Sequence, residues 1–314
     1  MKKEFVLGFA LVLFLYCFNG IANAVVDLST FVTENYVTST NGPGNWVVNG
    51  TANNLVTQFN NSDASIFRSG GSIDVNMRRI TGEFYSINND DDAMGFVFGF
   101  QNRGQMYLFG WKKQTQSGNL AGMYLSLLDT GDSANDPDRK DFFNIPSYPS
   151  TVRTILRENT LSWSSFTTYN FILDFRPGQI DISIFQGANE LESWSVLDST
   201  FTNGDFGFYN NSQASSTYGN LEVSCLSFSV KHLETGNNYV SLQGAYDEYG
   251  VQSFDTFLMT SSDLNENIIF DRDLVVKLKG GYDCDFSSIN GVSTVHGSMI
   301  IKNGTVIIDK ITII

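Results

Sequence analysis

Cysteine and histidine are scarce in this chain, with three cysteines and two histidines among 314 residues. The histidines, His232 and His296, stand far apart and have no cysteine neighbours. Zinc sites use three or four such ligands, so the sequence predicts that both histidines are structural or exposed. Cys/His nucleophile pairs, a Gly-x-Ser-x-Gly elbow and an alternating Glu-x-Asp-x-Glu strand are all missing. We therefore predict a protein that is not an enzyme, unless catalytic residues come from distant parts of the chain.

Basic residues are also few, since 19 Lys and Arg face 33 Asp and Glu and the formal net charge is −14. No stretch is rich in Lys and Arg, which argues against a nucleic-acid partner. An acidic protein suits divalent cations because carboxylates are hard oxygen ligands, although acidity also keeps proteins soluble. Charge alone leaves both interpretations open.

Long apolar runs are confined to the first residues of the chain. Lys2 and Lys3 precede the apolar run 5–18, and the small-x-small pattern Ala22-Asn23-Ala24 follows it. The run is shorter than the roughly 20 residues that cross a bilayer. We interpret residues 1–24 as a signal peptide and expect a secreted or cell-surface protein with no membrane span. An uncleaved anchor is the alternative. A lipoprotein is disfavoured because bulky Tyr16 precedes Cys17.

The sequence does contain many short strand-like runs between residues 46 and 225. Gly95–Phe100 and Gln105–Lys112 flank a turn at 102–104, and Gln179–Phe185 alternates strictly. Aromatic and β-branched residues at period two, with Gly and Asn turns, predict a β-sandwich. One helical turn is expected at Thr151–Glu158. No βαβ alternation is present, which argues against a doubly wound fold.

A different pattern begins after the polar break at 234–238. Leu274–Leu278 and Met299–Ile313 are strand-like and largely apolar, with Gly at the turns. These runs resemble rungs of a parallel β-helix, and a β-hairpin extension is the alternative. Because stacked repeats need about three rungs, we expect residues 226–314 to dock on the sandwich or on another chain. The predicted domains are therefore 25–225 and 226–314.

Cys225 and Cys284 are the cysteines that remain after signal-peptide removal. In an oxidising compartment they can form one disulfide that joins the two regions. The sequence cannot show whether their Cα atoms come within about 6 Å, so the pairing stays open.

Ordered motifs in residues 43–225 resemble one known family. The motifs are Pro43–Val48, Gln58–Asp63, Gly82–Gln101, Tyr107, Trp111-Lys112, Val152–Thr154, Trp163, Phe166–Tyr169, Arg176-Pro177, Gly207-Phe208 and Cys225. In this order they are similar to the C-terminal domain of thrombospondins. The resemblance implies a concanavalin A-like jelly-roll sandwich, related to L-type lectins, in an adhesive extracellular protein.

The chain also departs from thrombospondins. It has neither tandem acidic calcium repeats nor growth-factor-like modules, and residues 226–314 have no counterpart in that family. The partners of animal thrombospondins are therefore not transferred. The short Lys-Lys signal and the few cysteines suggest a bacterial exported protein, and Gly280–Phe286 resembles a module of such proteins.

Asp90, Asp91 and Asp92 are the first candidate site. Consecutive carboxylates repel one another unless solvent or a cation compensates them. The family resemblance favours calcium, with Asn89 as a further ligand, over a solvated acidic turn. A second acidic loop, 129–141, lacks EF-hand spacing and is expected to be a surface loop. Tryptophans in strands usually belong to the core, although Trp194, between two serines, is a candidate for exposure.

Taken together, these features predict a calcium-supported adhesion or recognition module. Its ligand would be an extracellular glycan or a matrix protein. A structural surface spacer is the alternative, and a carbohydrate-active enzyme is a third hypothesis.

Overall fold

The computed structural model describes residues 25–36, 41–226 and 228–314. The predicted signal peptide, residues 1–24, lies outside the described residues. Within the described part of the chain, no helix has the length and apolar character needed to cross a bilayer.

The first region is built from antiparallel strands. They are β1 (Val32–Asn35), β2 (Trp46–Asn49), β3 (Leu55–Gln58), β4 (Ser65–Arg68), β5 (Arg78–Ser86), β6 (Ala93–Asn102), β7 (Gln105–Lys112), β8 (Gly122–Asp129), β9 (Arg153–Glu158), β10 (Tyr169–Arg176), β11 (Gln179–Gln186), β12 (Asn189–Val196), β13 (Asp205–Asn211) and β14 (Ser216–Cys225). Short 3₁₀ turns occupy Leu28–Thr30 and Arg139–Phe142.

These strands form two sheets. One has the order β1-β4-β13-β6-β7-β8-β9, and the other has the order β12-β11-β10-β5-β14-β3-β2. Many neighbours in a sheet are distant in sequence, so the chain crosses repeatedly between the sheets. The prediction of an all-β, concanavalin A-like jelly-roll sandwich is confirmed.

Aromatic side chains fill the space between the sheets. Phe96 from β6 stacks on Phe171 from β10, with 4.5 Å between ring centroids. Trp111 meets Phe84 edge to face at 6.1 Å. In β10 and β11, buried residues alternate with more exposed ones, as expected for strands with one face on a core.

The outer face of the first sheet is buried as well. The segment between β8 and β9 folds over it and places Phe142, Phe143 and Ile145 in a cluster with Val97 and Leu108. Residues 93–100 of β6 are therefore buried on both faces, which explains why that strand is apolar throughout.

The expected helical turn at Thr151–Glu158 is wrong, because Arg153–Glu158 is strand β9. Its β-branched residues Thr154 and Ile155 pair with β8 at the sheet edge. Extended pairing with a neighbouring strand overrides a weak local helical pattern.

The second region has a different plan. Its elements are β15 (Val230–His232), β16 (Asn238–Tyr239), α1 (Leu242–Asp247), β17 (Thr256–Thr260), β18 (Asp263–Asn265), β19 (Ile268–Phe270), β20 (Val275–Tyr282), β21 (Ser293–His296), β22 (Met299–Ile301), β23 (Thr305–Asp309) and β24 (Ile311–Ile313). Parallel pairs connect β17, β20 and β23, then β18, β21 and β24, and then β19 and β22. Successive turns of the chain thus stack on one another, and the β-helix-like prediction is confirmed.

A separate hydrophobic core runs through this coil. Leu278 of β20 lies in register with Ile308 of β23. Tyr246 of α1 belongs to the same cluster and is buried, so the helix covers part of the core. Ser241 caps α1 by accepting a hydrogen bond from the Gly244 N–H at 3.1 Å. In the last turn Ile308 remains 42% exposed.

The two regions are linked covalently. Cys225 and Cys284 form a disulfide with a Cα–Cα distance of 5.3 Å, so the structure decides the pairing that the sequence left open. The Arg78 guanidinium lies against both sulfur atoms. Beside it, Asn76 Nδ2 donates to Asp285 Oδ2 at 3.4 Å.

Candidate functional site

The three consecutive aspartates lie in the loop between β5 and β6. Backbone contacts hold this loop against the β13–β14 connection: the Ile87 N–H donates to the Ser215 carbonyl oxygen at 3.2 Å, and the Asp92 N–H donates to Gln213 Oε1 at 3.1 Å. One carboxylate oxygen from each aspartate falls within 4.8 Å of the others. The structure therefore brings the predicted carboxylates together in space as well as in sequence.

Asp92 is the buried member of the cluster, and its partner is Lys112 at the end of β7. Lys112 Nζ lies 2.6 Å from Asp92 Oδ1 and 3.2 Å from the Asp91 carbonyl oxygen. The Lys112 side chain is only 1% exposed. Burial raises the pKa of Asp92 while Lys112 opposes the rise, and Asp90 and Asp91 add to it. The pair anchors the loop because either charge would be costly to bury alone.

Lys113 makes a second set of contacts with the same loop. Its Nζ lies 3.2 Å from the Asn89 carbonyl oxygen, 3.3 Å from that of Asp90 and 2.8 Å from Ser165 Oγ. The predicted ligand Asn89 is exposed, and its main-chain carbonyl thus already accepts from an ammonium group. As a metal ligand, Asn89 would bind through its side-chain amide oxygen. Its main-chain carbonyl oxygen could bind a metal only if the Lys113 ammonium group moved away from it.

Asp90 and Asp91 are half-buried and reach the surface. Asn61 Nδ2 donates to Asp90 Oδ2 at 3.4 Å, and the Asp91 N–H donates to Asp90 Oδ1 at 3.0 Å. Three carboxylates face two lysine ammonium groups, which leaves a net negative charge. Hard oxygens in a partly open loop are the donor set that Ca²⁺ accepts, with waters completing six to eight ligands. The residues present therefore fit that ion.

Sequence reasoning missed Lys112, Lys113 and Gln213 as parts of this site. A signal for Lys112 was present, because the turn after β6 folds β7 back and pairs Lys112 with Ala93, the neighbour of Asp92. Gln213 is contributed by a loop 121 residues away in sequence, and the local pattern contains no sign of it.

The second acidic loop uses its carboxylates to shape turns. Asp132 Oδ1 accepts from the N–H groups of Ala134 and Asn135 at 2.9 and 3.1 Å. Asp136 forms an ion pair with Arg103 at 2.5 Å. These contacts account for Asp132 and Asp136 without a cation.

Trp111 in β7 belongs to the core, as predicted for tryptophans in strands, and Trp46 in β2 is partly buried against it. Trp163 lies in the connection between β9 and β10 and is also buried. Trp194, the candidate for exposure, is only 9% exposed and packs 6.0 Å from the Phe109 ring. Alternation along β12 turns Trp194 inward while its neighbouring serines face outward.

Residues 41–227, more than half of the chain, match the family model described as the thrombospondin C-terminal region. The chain belongs to this family.

Curated relatives that contain the thrombospondin C-terminal region are much longer than the matching segment. Human thrombospondin-2 is 28% identical over 198 residues, which cover 58% of this chain and 16% of that protein. Bovine cartilage oligomeric matrix protein is 27% identical over 195 residues, which cover 58% of this chain and 25% of that protein. The match thus spans a quarter or less of these relatives.

Solved structures show distant similarity. The carbohydrate-binding module CBM66 from Bacillus subtilis is 13% identical, with a TM-score of 0.42 over 62% of this chain and 95% of that chain. The VIP36 exoplasmic/lumenal domain in its Ca2+/Man3GlcNAc-bound form is 7% identical, with a TM-score of 0.41 over 63% and 84%. A legume lectin-like domain from Entamoeba histolytica is 12% identical, with a TM-score of 0.40 over 63% and 90%.

Proposed function

We propose that this chain is an exported, calcium-binding recognition module that binds an extracellular glycan or a matrix protein. The observation that carries the proposal is the convergence of the carboxylates of Asp90, Asp91 and Asp92 in a half-exposed loop of the sandwich. The predicted signal peptide and the disulfide, which suits an oxidising compartment, support export.

In this proposal, Asp90 and Asp91 hold the ion through their carboxylates, and Asp92 uses the oxygen that faces away from Lys112. Asn89 completes the protein ligands. Bound Ca²⁺ supplies the positive charge that offsets repulsion among the aspartates. The β5–β6 loop is then held in one conformation beside the segments it contacts.

Exposed apolar side chains border this loop and supply a surface for a ligand. Ile87 is 57% exposed and Phe166 is 69% exposed. The Phe166 N–H donates to the Ser86 carbonyl oxygen at 2.8 Å, so the ring lies on a segment joined to the base of the loop. An aromatic face beside a cation is suited to stacking on a sugar ring.

Binding to a glycan array with calcium, and again with chelator, tests the proposal. We expect calcium-dependent binding that is lost in Phe166→Ala and retained in Tyr249→Ala, which removes an exposed aromatic from the second region. Glycan binding that is the same with calcium and with chelator would contradict the proposed surface. Loss of glycan binding in both Phe166→Ala and Tyr249→Ala would also contradict it. A protein with no ligand at all would be the structural spacer, and release of reducing sugar from polysaccharides would reveal an enzyme.

A further inference from the structure

The second region contains a buried histidine that faces two carboxylates. His232 ends strand β15 and its side chain is 1% exposed. Its ring stacks on Phe257, with 5.0 Å between centroids. Nε2 lies 3.0 Å from Asp255 Oδ2 and 3.4 Å from Glu234 Oε2. One ligand atom from each of the three residues falls within 4.8 Å of the others.

The pairing of β15 with β17 brings these residues together. The two strands are antiparallel, and His232 lies opposite Phe257. Glu234, just after β15, therefore meets Asp255, just before β17. Backbone pairing brings the three residues together, and the Glu234 side chain reaches His232 in the conformation in which it also accepts from the Thr256 N–H.

Each of the three groups is oriented by a further contact. His232 Nδ1 lies 3.1 Å from Thr235 Oγ1. Asp255 Oδ2 accepts from the Gln252 N–H at 2.7 Å, and Glu234 Oε2 accepts from the Thr256 N–H at 2.9 Å. Contacts of this kind hold a histidine in one tautomer and fix carboxylates in metal sites.

We propose that His232, Glu234 and Asp255 bind one Zn²⁺ ion. With zinc bonds of about 2.0–2.1 Å, adjacent ligand atoms of a tetrahedral site lie about 3.3–3.4 Å apart, close to the distances from Nε2 to the two carboxylates. The His232 Nε2 lone pair binds the metal and Nδ1–H donates to Thr235. An imidazole nitrogen favours zinc over calcium, which takes oxygen ligands. Water occupies the fourth position on the side of Glu234, whose side chain is 41% exposed.

The sequence predicted no zinc ligand because the two histidines are far apart. Folding supplies carboxylates in place of further histidines or cysteines, and Asp255 is 23 residues from His232. The competing account is a metal-free network in which His232 Nε2–H donates to Asp255.

Calorimetric titration with Zn²⁺ distinguishes the two accounts. The mature chain 25–314, with its disulfide intact, is titrated in millimolar Ca²⁺ so that the aspartate loop is occupied. We expect one zinc site, and we expect Co²⁺ in its place to give the visible absorption of a tetrahedral complex. His232→Gln and Glu234→Gln should each lower zinc affinity by more than about 100-fold, beyond the 10–100-fold typical of losing an outer contact.

His296→Gln is the matched control, because His296 faces one carboxylate, Asp263, at 3.4 Å and is 39% exposed. It should bind zinc like the unmodified protein. Glu234→Gln keeps an oxygen for the Thr256 N–H and should melt like the unmodified protein in chelator, so misfolding cannot explain its loss. Unchanged zinc affinity in a folded Glu234→Gln variant, or no zinc binding by the unmodified chain, would overturn the proposal.

Discussion

At the scale of single residues, Lys112 and Asp92 depend on each other. Their side chains are 1% and 13% exposed and lie 2.6 Å apart. Asp92→Ala should lower the free energy of unfolding by about 3–5 kcal/mol, because it leaves a buried ammonium group unpaired. Urea denaturation of the single variants and of Asp92→Ala/Lys112→Met measures this, and the double variant should recover part of the loss.

The surface pair Arg79–Asp174 provides the comparison, since Arg79 is 49% exposed. Arg79→Ala should cost about 1 kcal/mol or less. Equal losses of unfolding free energy in Asp92→Ala and Arg79→Ala would show that the burial of Lys112 adds little to the cost of breaking its ion pair.

A substitution at Asp91 tests calcium binding without breaking the Lys112–Asp92 ion pair. Asp91 belongs to the carboxylate cluster, is half-buried and does not form that ion pair. Ca²⁺ at a hundredfold excess over Kd should stabilise the native protein by about 2.7 kcal/mol. Asp91→Asn should remove most of that gain and change stability little in chelator. Melting with chelator and with millimolar Ca²⁺ measures both, and Asp132→Asn is the control from the second acidic loop. If the two variants lose the same calcium response, the choice of loop is wrong.

At the level of residues, the part of the site that could be predicted is the part that is local, and calcium binding there remains a prediction. Asp90, Asp91 and Asp92 are adjacent in sequence, so their clustering was visible before folding. Lys112 and Gln213 reach the same loop only through strand pairing and a distant turn. His232 acquires Asp255 through strand pairing as well, whereas Glu234 is only two residues away along the chain. No spacing rule for a zinc motif describes that set.

At the scale of elements, close contact between β6 and β7 depends on glycine. A Cβ atom on Gly95 would lie 2.0 Å from the Phe109 carbonyl oxygen. Gly95→Ala should therefore destabilise the sandwich by at least about 1–3 kcal/mol through overpacking. Hydrogen exchange should show lost protection in β6 and β7 and unchanged protection in β20. Unchanged hydrogen-exchange protection in β6 of Gly95→Ala would mean that β6 and β7 can move apart to fit the methyl group with little loss of stability.

The strands with one buried face were the easiest to predict. Alternation in Gln179–Phe185 matches β11 because its outer face is solvated. The uninterrupted apolar run 93–100 is typical of a strand that is buried on both faces. The segment that covers the outer face of β6 has no regular period, so its position could not be predicted. Arg153–Glu158 was misjudged because its pairing with β8 is a tertiary contact.

At the scale of the whole molecule, the disulfide constrains the two regions. Cys225 and Cys284 are 59 residues apart in sequence, and the chain-entropy account assigns such a crosslink about 4 kcal/mol. The variant Cys225→Ser/Cys284→Ser should therefore have a free energy of unfolding lower by about 4 kcal/mol and a lower denaturation midpoint, with the second region most affected. Denaturation followed by tryptophan fluorescence and by far-UV circular dichroism checks both points. Loss of less than about 1 kcal/mol would show that docking alone holds the regions together.

The division into 25–225 and 226–314 remains a prediction, and separate cores support it. The aromatic core of the sandwich and the cluster around Leu278 share no residue among the described part of the chain. Between the regions, polar contacts such as Asn76 with Asp285 accompany the disulfide. Because the sandwich shares no core residues with the second region, it should fold when the second region is removed.

We therefore expect the fragment 25–225 with Cys225→Ser to be a folded monomer. The expectation follows from the filled space between the two sheets. Removing residues 226–314 exposes the surroundings of Met77 and Arg78, which contact that region, and leaves Phe96 and Phe171 buried. Sedimentation velocity gives the monomer mass, and thermal melting in calcium shows that the aspartate loop survives. A fragment that aggregates, or that melts without cooperativity, would show that the coil covers an apolar face of the sandwich, and the two regions would then form one folding unit.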